Sequence, residues 1–383
     1  MHVGRFSLAL VLSIASLAAG CGASTPPPAS DATKAPAKSE ASAPAPEGEA
    51  AAEAPPSEEE GDGEAKPPEP SFAELRKAVM ACSVGEDSSL DDCEAYQQWS
   101  DAEQAFENGK ATPELLKMLG SQDPKERRVA AEKLDRTLTE ETANAAQVDA
   151  VLNMAEKERD ENLVALFGQL VGGLPLVKVG KIDRAIAIAK AHPASDYTDA
   201  FLRIVGFGST NRDPKVVAYA SEASKDASST RRAYALNALS DLAPYFPDEA
   251  CKVINTLRAD KDDFVKSRAS ERIASISKCA SFTDKLLDDL ATVDVKKNVS
   301  FEMGMALQKV CKRSDLTHAQ RKKGSKAARR LTDATTVHAN TRSYAMEAAI
   351  GCDPKDGPAY VAKFKNDKDK TIAGQATALT TPK

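Results

Sequence analysis

The signatures of catalysis and metal binding are missing from this 383-residue chain. It has four histidines: His2 at the extreme N-terminus, then His192, His318 and His338. None stands at ligand spacing from another histidine or from a cysteine pair, and neither His-Glu-x-x-His nor Cys-x-x-Cys occurs, so no metal site is expected. Gly-x-Ser-x-Gly, a P-loop and a dinucleotide-binding glycine fingerprint are absent too, so no cofactor is expected and the chain reads as non-enzymatic. His192 precedes Pro193 at a helix end, where a partial positive charge suits the helix dipole, and His338 occupies a repeat-start position; both read as structural. Aromatic residues make up 5% of the chain, with Trp99 the one tryptophan. No segment keeps a period-two strand pattern. Beyond the N-terminus, no apolar run is long enough to cross a bilayer.

Against these absences stands one pattern that returns. In residues 123–134 (DPKERRVAAEKL), Asp123 and Pro124 mark a helix start, and Ala130, Ala131 and Leu134 form an apolar stripe. Residues 113–119 (PELLKML) form a shorter amphipathic helix before it, ending at Gly120. The small residue recurs at Ala165, Ala200, Ala235 and Ala269, spaced by 35, 35, 35 and 34 residues, and then more loosely at Gly304, Ala345 and Gly374. Four positions further on come Leu134, Gln169, Ile204, Leu239 and Ile273; in the first helices, Leu116, Val151 and Ile186 are also 35 apart. Residues 262–273 (DDFVKSRASERI) are the clearest second copy. A period in the mid-thirties implies stacked helical hairpins. Turn signals at Gly172-Gly173, His192-Pro193, Gly206-Phe207-Gly208, Asp213-Pro214, Phe246-Pro247, Asp353-Pro354 and Gly357-Pro358 fit between such helices.

The D-P-x-x-R-x-x-A-x-x-x-L pattern of residues 123–134 resembles HEAT repeats, including the bacterial HEAT-like repeats of phycobilisome lyases. The resemblance spans residues 72–383 and is strongest around Asp123, Ser228 and Asp262. Tetratricopeptide repeats share the period, but their Trp, Leu-Gly and Tyr positions are not filled here. The implied fold is all-α: a right-handed α-α superhelix, a solenoid of about eight hairpins after a disordered tether, presenting a long concave surface suited to a macromolecular partner. Lyase activity is not carried over, because an exported protein would not meet the cytoplasmic light-harvesting substrates.

Export is read from the N-terminus. Arg5 supplies a positive n-region and residues 6–17 a short apolar run. Leu17-Ala18-Ala19-Gly20-Cys21 resembles a bacterial lipobox, which implies cleavage before Cys21 and lipidation of its thiol. The match departs from the preferred form, since Ala18 stands where Leu is usual; an ordinary secretory peptide cleaved near Ala19 also fits. Gly22 follows in place of the Asp that retains enterobacterial lipoproteins at the inner membrane, so the expected location is the outer membrane, facing periplasm or surface. Residues 22–70 hold 11 of the 21 prolines and 11 acidic residues against 3 lysines. Such a tract cannot bury enough surface to offset its ordering entropy, so it reads as a spacer of about 40 Å root-mean-square length. The expected domains are a signal peptide at 1–20, a tether at 21–71, a helical cap at 72–110 and repeats at 111–383.

Seven cysteines, less Cys21, leave an even six, as suits an oxidising compartment. Cys82 and Cys93 bracket one short loop. Cys251 near the start of a first helix meets Cys279 just past its partner helix, and Cys311 and Cys352 end consecutive second helices. The expected bridges are therefore 82–93, 251–279 and 311–352. Residues 86–92 (EDSSLDD) carry oxygen ligands of the kind calcium uses, but lack the Asp-Gly turn and closing Glu of an EF-hand, so they read as a solvated loop. Trp99 fits the core of the cap that closes the first repeat.

One segment is strongly charged: residues 309–330 hold nine basic side chains against Asp315. Lys322, Lys323, Lys326, Arg329 and Arg330 are expected to form much of one helix face, a contact surface for an acidic protein or an anionic envelope polymer rather than nucleic acid. The function expected is that of a lipid-anchored, non-enzymatic scaffold. The alternatives are a structural spacer between envelope layers, and an envelope hydrolase with a pocket uniting a carboxylate with His318 or His338.

Overall fold

The computed structural model describes residues 71–82, 93–102, 111–192, 195–206, 211–296 and 299–381. The chain divides into two units, Met1–Lys66 and Pro67–Lys383, and every described residue lies in the second. The signal segment, Cys21, the tether up to residue 70, the acidic loop 86–92, Pro193 and Phe207-Gly208 lie outside the described residues.

Among the described residues all regular structure is helical. Helices α1 (Phe72–Ala81) and α2 (Glu94–Ala102) come first. Eight hairpins follow: α3 (Thr112–Leu119) with α4 (Pro124–Thr137), α5 (Ala145–Ala155) with α6 (Val164–Gly173), α7 (Ile182–Ala191) with α8 (Ser195–Val205), and α9 (Pro214–Ala223) with α10 (Ser229–Leu242). Then come α11 (Pro247–Leu257) with α12 (Asp263–Ser275), α13 (Thr283–Thr292) with α14 (Phe301–Cys311), α15 (His318–Asp333) with α16 (Ala339–Cys352), and α17 (Gly357–Ala362) with α18 (Lys370–Thr380). Each first helix packs on its own second helix, and each second helix packs on the next one along, from α4 to α18. The result is a two-layered helical solenoid.

Local chemistry sets the helix starts. Asp123, Asp213, Asp262 and Asp369 accept hydrogen bonds from backbone amides in the first turns of α4, α9, α12 and α18, and Ser228 does so for α10. Proline stands in the first turn of α3, α4, α9, α11 and α17, where its missing amide costs no hydrogen bond.

The small-residue column holds at Ala130, Ala235, Ala269 and Ala345, all fully buried in second helices. It fails in α6, where Ala165 is exposed. There the close approach is made three residues later: a Cβ on Gly168 would strike the Tyr197 carbonyl oxygen, and one on Gly172 would lie 2.9 Å from Ile204 Cβ. Gly172 and Gly173 accordingly end α6 rather than forming an interhelical turn. The apolar column slips with it, since Gln169 and Ile204 are only half-buried while Phe167, Leu170 and Phe201 fill the core.

A second device joins successive units. Arg127, four residues after the Asp123 cap, reaches Glu158 at 2.7 Å in the loop between α5 and α6. Arg232, four after Ser228, pairs with Asp260 at 2.7 Å between α11 and α12; Arg342, four after His338, pairs with Asp367 at 2.8 Å between α17 and α18. In each case an arginine binds an acid in the next hairpin's turn while also donating to backbone carbonyls nearby, as Arg232 does to Asp226 and Ala227. The acids also shape their own turns, accepting from the amides of Asp160, Asp262 and Asp369. Burial alone would raise the Glu158 and Asp260 carboxyls, but the arginines and these amides hold both below the usual range. At Asp367 the Arg342 hydrogen bond is the main cause of the same lowering. At the equivalent place in α12, Lys266 pairs instead with its near neighbour Asp263.

At the N-terminal end, α1 and α2 dock on α4. Trp99 is buried edge-on to Phe72, ring centroids 5.2 Å apart, as suits the core of a cap. Tyr96 donates its hydroxyl to Glu132 at 2.5 Å, and the buried Lys133 ammonium sits 4.3 Å over the Tyr96 ring. Disulfides join Cys82 to Cys93 across α1 and α2, Cys251 to Cys279 across α11 and the 3-10 turn Ser277–Phe282, and Cys311 to Cys352 across the ends of α14 and α16.

Candidate functional site

Helix α15 runs for 16 residues, whereas α17, the first helix of the next hairpin, has only 6. Tyr360 of α17 reaches the far half of α15, donating to the Arg329 carbonyl and the Asp333 carboxylate. The near half of α15 therefore faces the α16–α17 loop across an open cleft of about 780 Å³. One wall is α15, with His318, Arg321, Lys322, Ser325, Lys326 and Arg329; the other is residues 352–356.

The basic residues read from the sequence divide here. Lys322, Lys326 and Arg329 share the cleft wall, as their spacing of four and three residues along a helix requires. Lys323 and Arg330 turn away towards α13: Lys323 pairs with Asp288 at 2.7 Å, and Arg330 donates to the Ala291 carbonyl at 2.8 Å. The Asp288 carboxylate holds the Lys323 ammonium above its usual value. The five therefore do not make one face. A 16-residue helix with bases at consecutive positions spreads them round its circumference.

Within the cleft, two guanidinium groups are committed. Arg321 donates to the Gly351 and Arg313 carbonyls, and Arg329 pairs with Asp353 at 2.9 Å while lying over the Tyr360 ring. Lys322, Lys326 and Lys355 form no ion pair with any described residue. Lys355 was not singled out in the sequence, because its membership depends on a loop 33 residues from Lys322. A spacing of one hairpin between basic residues was the only available hint.

Cys352, at one edge of the cleft, is joined to Cys311 by a disulfide. Gly324 rests directly on it, since a Cβ there would overlap Cys352 Sγ and lie 3.0 Å from Cys311 Sγ. Gly351 approaches just as closely, its Cβ position 2.9 Å from the Cys311 carbonyl oxygen. Both walls are thus indexed to one covalent link.

The cleft also holds Ser325, His318 and two carboxylates, the ingredients of nucleophilic catalysis, but not their geometry. Ser325 and His318 lie seven residues apart on one helix, about 10.5 Å along its axis, beyond hydrogen-bond reach. Asp353 is engaged by Arg329 and by the Asp356 amide, and neither Asp353 nor Asp356 bonds to His318. Among the described residues, the other two histidines hold structural places: His338 caps α16, its Nδ1 accepting from the Asn340 amide, and buried His192 stacks on Tyr197 with its Nε2 2.9 Å from the Glu158 carbonyl oxygen. Among the described residues, no three His, Cys, Asp or Glu side chains gather to hold a metal, and no helix is long and apolar enough to cross a membrane.

Comparison with known proteins finds distantly similar structures. No protein-family model matches the chain, and no curated protein does. An engineered protein is 16% identical with a TM-score of 0.42, covering 80% of this chain and 87% of that one. A chain of the Kap95p–RanGDP complex is 12% identical with a TM-score of 0.42, covering 81% of this chain and 50% of that one. A designed armadillo repeat protein is 13% identical with a TM-score of 0.28, covering 70% of this chain and 98% of that one. At this distance the likeness carries no information about partners. The repeat architecture rests on the helix packing itself, and the function must be argued from the cleft.

Proposed function

We propose that this chain is a non-enzymatic helical-repeat scaffold, anchored to a bacterial envelope membrane by lipid on Cys21, that binds an acidic partner through the α15 cleft. The observation that carries this reading is the cluster of Lys322, Lys326 and Lys355, three ammonium groups left without carboxylate partners on one open trough. A positive cleft raises the local concentration of anions and speeds their association. The rigid stacking of hairpins around it supplies a preformed surface, which limits the ordering cost of binding. The absence of hydrogen-bonded contact between Ser325, His318 and the cleft carboxylates supports binding over turnover.

The test is crosslinking in intact cells with the full-length protein and a Lys322→Glu/Lys326→Glu/Lys355→Glu variant. An envelope component captured by the first and lost with the second supports the scaffold. Capture that is identical for both moves the contact surface elsewhere, and no capture favours a spacer. Incorporation of labelled fatty acid, abolished by Cys21→Ser, checks the anchor independently.

A further inference from the structure

We infer that the α15 cleft takes an extended acidic segment of polypeptide, with carboxylates on alternate residues. This inference rests on the reading of the cleft as an anion-binding surface and narrows it to one ligand class.

Three features of the cleft point this way. The first is which cations are available. Arg321 and Arg329, whose planar forks would suit the paired oxygens of a phosphate, are already committed to carbonyls and to Asp353. What remains is lysine, a point charge on a flexible stem, able to meet carboxylates without demanding a fixed geometry.

The second is spacing. Lys322 and Lys326 are four residues apart on one helix face, about 6 Å along the axis. Side chains on the same side of an extended peptide repeat every two residues, about 6.6–6.8 Å. Alternate glutamates or aspartates therefore fall in step with the two lysines, and Lys355 faces them from the opposite wall.

The third is the mixture of signs. Asp356 lines the same trough and forms no ion pair with a described residue. A phosphodiester or a fully ionised phosphate carries no N–H or O–H donor, so against it that carboxylate is only repulsive. A polypeptide brings backbone N–H groups along with its negative side chains, so it can satisfy Asp356 and the lysines together. Openness fits as well, because the trough is a surface groove and not an enclosed pocket.

The experiment is fluorescence anisotropy with the full-length protein in detergent, at low ionic strength. The probe is a short labelled peptide alternating glutamate with alanine, compared with a peptide of the same composition whose glutamates are gathered at one end. Two variants carry equal charge changes: Lys322→Glu/Lys326→Glu/Lys355→Glu in the cleft, and Lys117→Glu/Lys225→Glu/Lys278→Glu on exposed positions elsewhere. Circular dichroism melts confirm that both are folded. The expected result is binding of the alternating peptide that weakens by about tenfold or more in the cleft variant and by less than about twofold in the control. Equal weakening in both variants, or equal binding of the two peptides, overturns the inference. Inorganic polyphosphate, polygalacturonate and vesicles of mixed phosphatidylcholine and phosphatidylglycerol serve as further probes. If any of these binds through the cleft lysines while the peptides do not, the peptide inference fails and the anion-binding reading stands. If no probe depends on the cleft lysines, both fail.

Discussion

Along the second helices, charged and polar side chains find partners on the neighbouring unit. Asp135 accepts from Gln169, which in turn accepts from Arg203; Glu271 takes Lys309; and Glu347 accepts from Gln308, Lys312 and Gln375. Along the α15 cleft, three lysines find none. The two regions are built from similar residues on similar helices, and they differ in what lies opposite. A second helix always has another second helix beside it, so its polar groups can be matched one unit on. The near half of α15 has α13 along one side but no helix along the cleft side, because α17 is too short to cover it. Where the repeat is interrupted, three unpaired lysines share one trough, and an outside partner can supply there what the array does not.

If pairing between units holds the array, breaking a buried pair has the largest effect. Arg232 and Asp260 have side chains only 5% and 7% exposed, so Arg232→Ala strands a buried carboxylate and is expected to cost about 3–5 kcal/mol in denaturant unfolding. Lys215→Ala, which removes an exposed pair with Asp183, is the contrast and is expected to leave the unfolding midpoint nearly unchanged. Equal losses from the two would remove the distinction between inter-unit and surface pairs.

The covalent link at the edge of the cleft comes next. Replacing Cys311 and Cys352 by serine is expected to lower stability by about 2–4 kcal/mol. Gly324→Ala alone, forcing a methyl onto the sulfurs, is expected to cost about 1–3 kcal/mol. In the triple variant the two losses should fall short of their sum, since serine hydroxyls without the bond can move aside from the new methyl. Strict additivity would show that Gly324 does not rest on the disulfide.

A smaller and graded effect is expected from pH. Glu158, Asp260 and Asp367 have folded-state pKa values below their ordinary ones. A depressed carboxyl contributes stability that is present above its unfolded pKa, near 4 for these groups, and is lost as pH falls through the lower folded value. The unfolding midpoint should therefore be level from pH 7 to about 5 and drop below about 4. Arg127→Gln should flatten the part of that drop owed to Glu158.

Much of the array was legible in the sequence because hairpin packing leaves a periodic trace. Ala130, Ala235, Ala269 and Ala345 are buried in the small-residue column, and the cysteines lie at helix ends that one hairpin (Cys251, Cys279) or the stacking of two (Cys311, Cys352) brings together. The trace misleads at Ala165, because alanine is common and glycine at 168 does the same work with a different register. Arg127 was visible as a conspicuous column of the pattern, but its role was not, since Glu158 belongs to the following hairpin. The basic run of α15 was equally visible. Its division into Lys322, Lys326 and Arg329 on one side and Lys323 and Arg330 on the other needed the positions of α13 and the 353–356 loop.

By itself the sequence determined the helices, their pairing into hairpins and the near-35-residue period, because caps, proline starts and apolar stripes act over a few residues. The tertiary structure alone decided which charges are satisfied. Glu158, Asp260 and Asp367 meet arginines one hairpin away, and Lys355 comes opposite Lys322 only across the gap left by a short α17. Electrostatic partnership depends on distances between units, and residue order along one helix does not encode those distances.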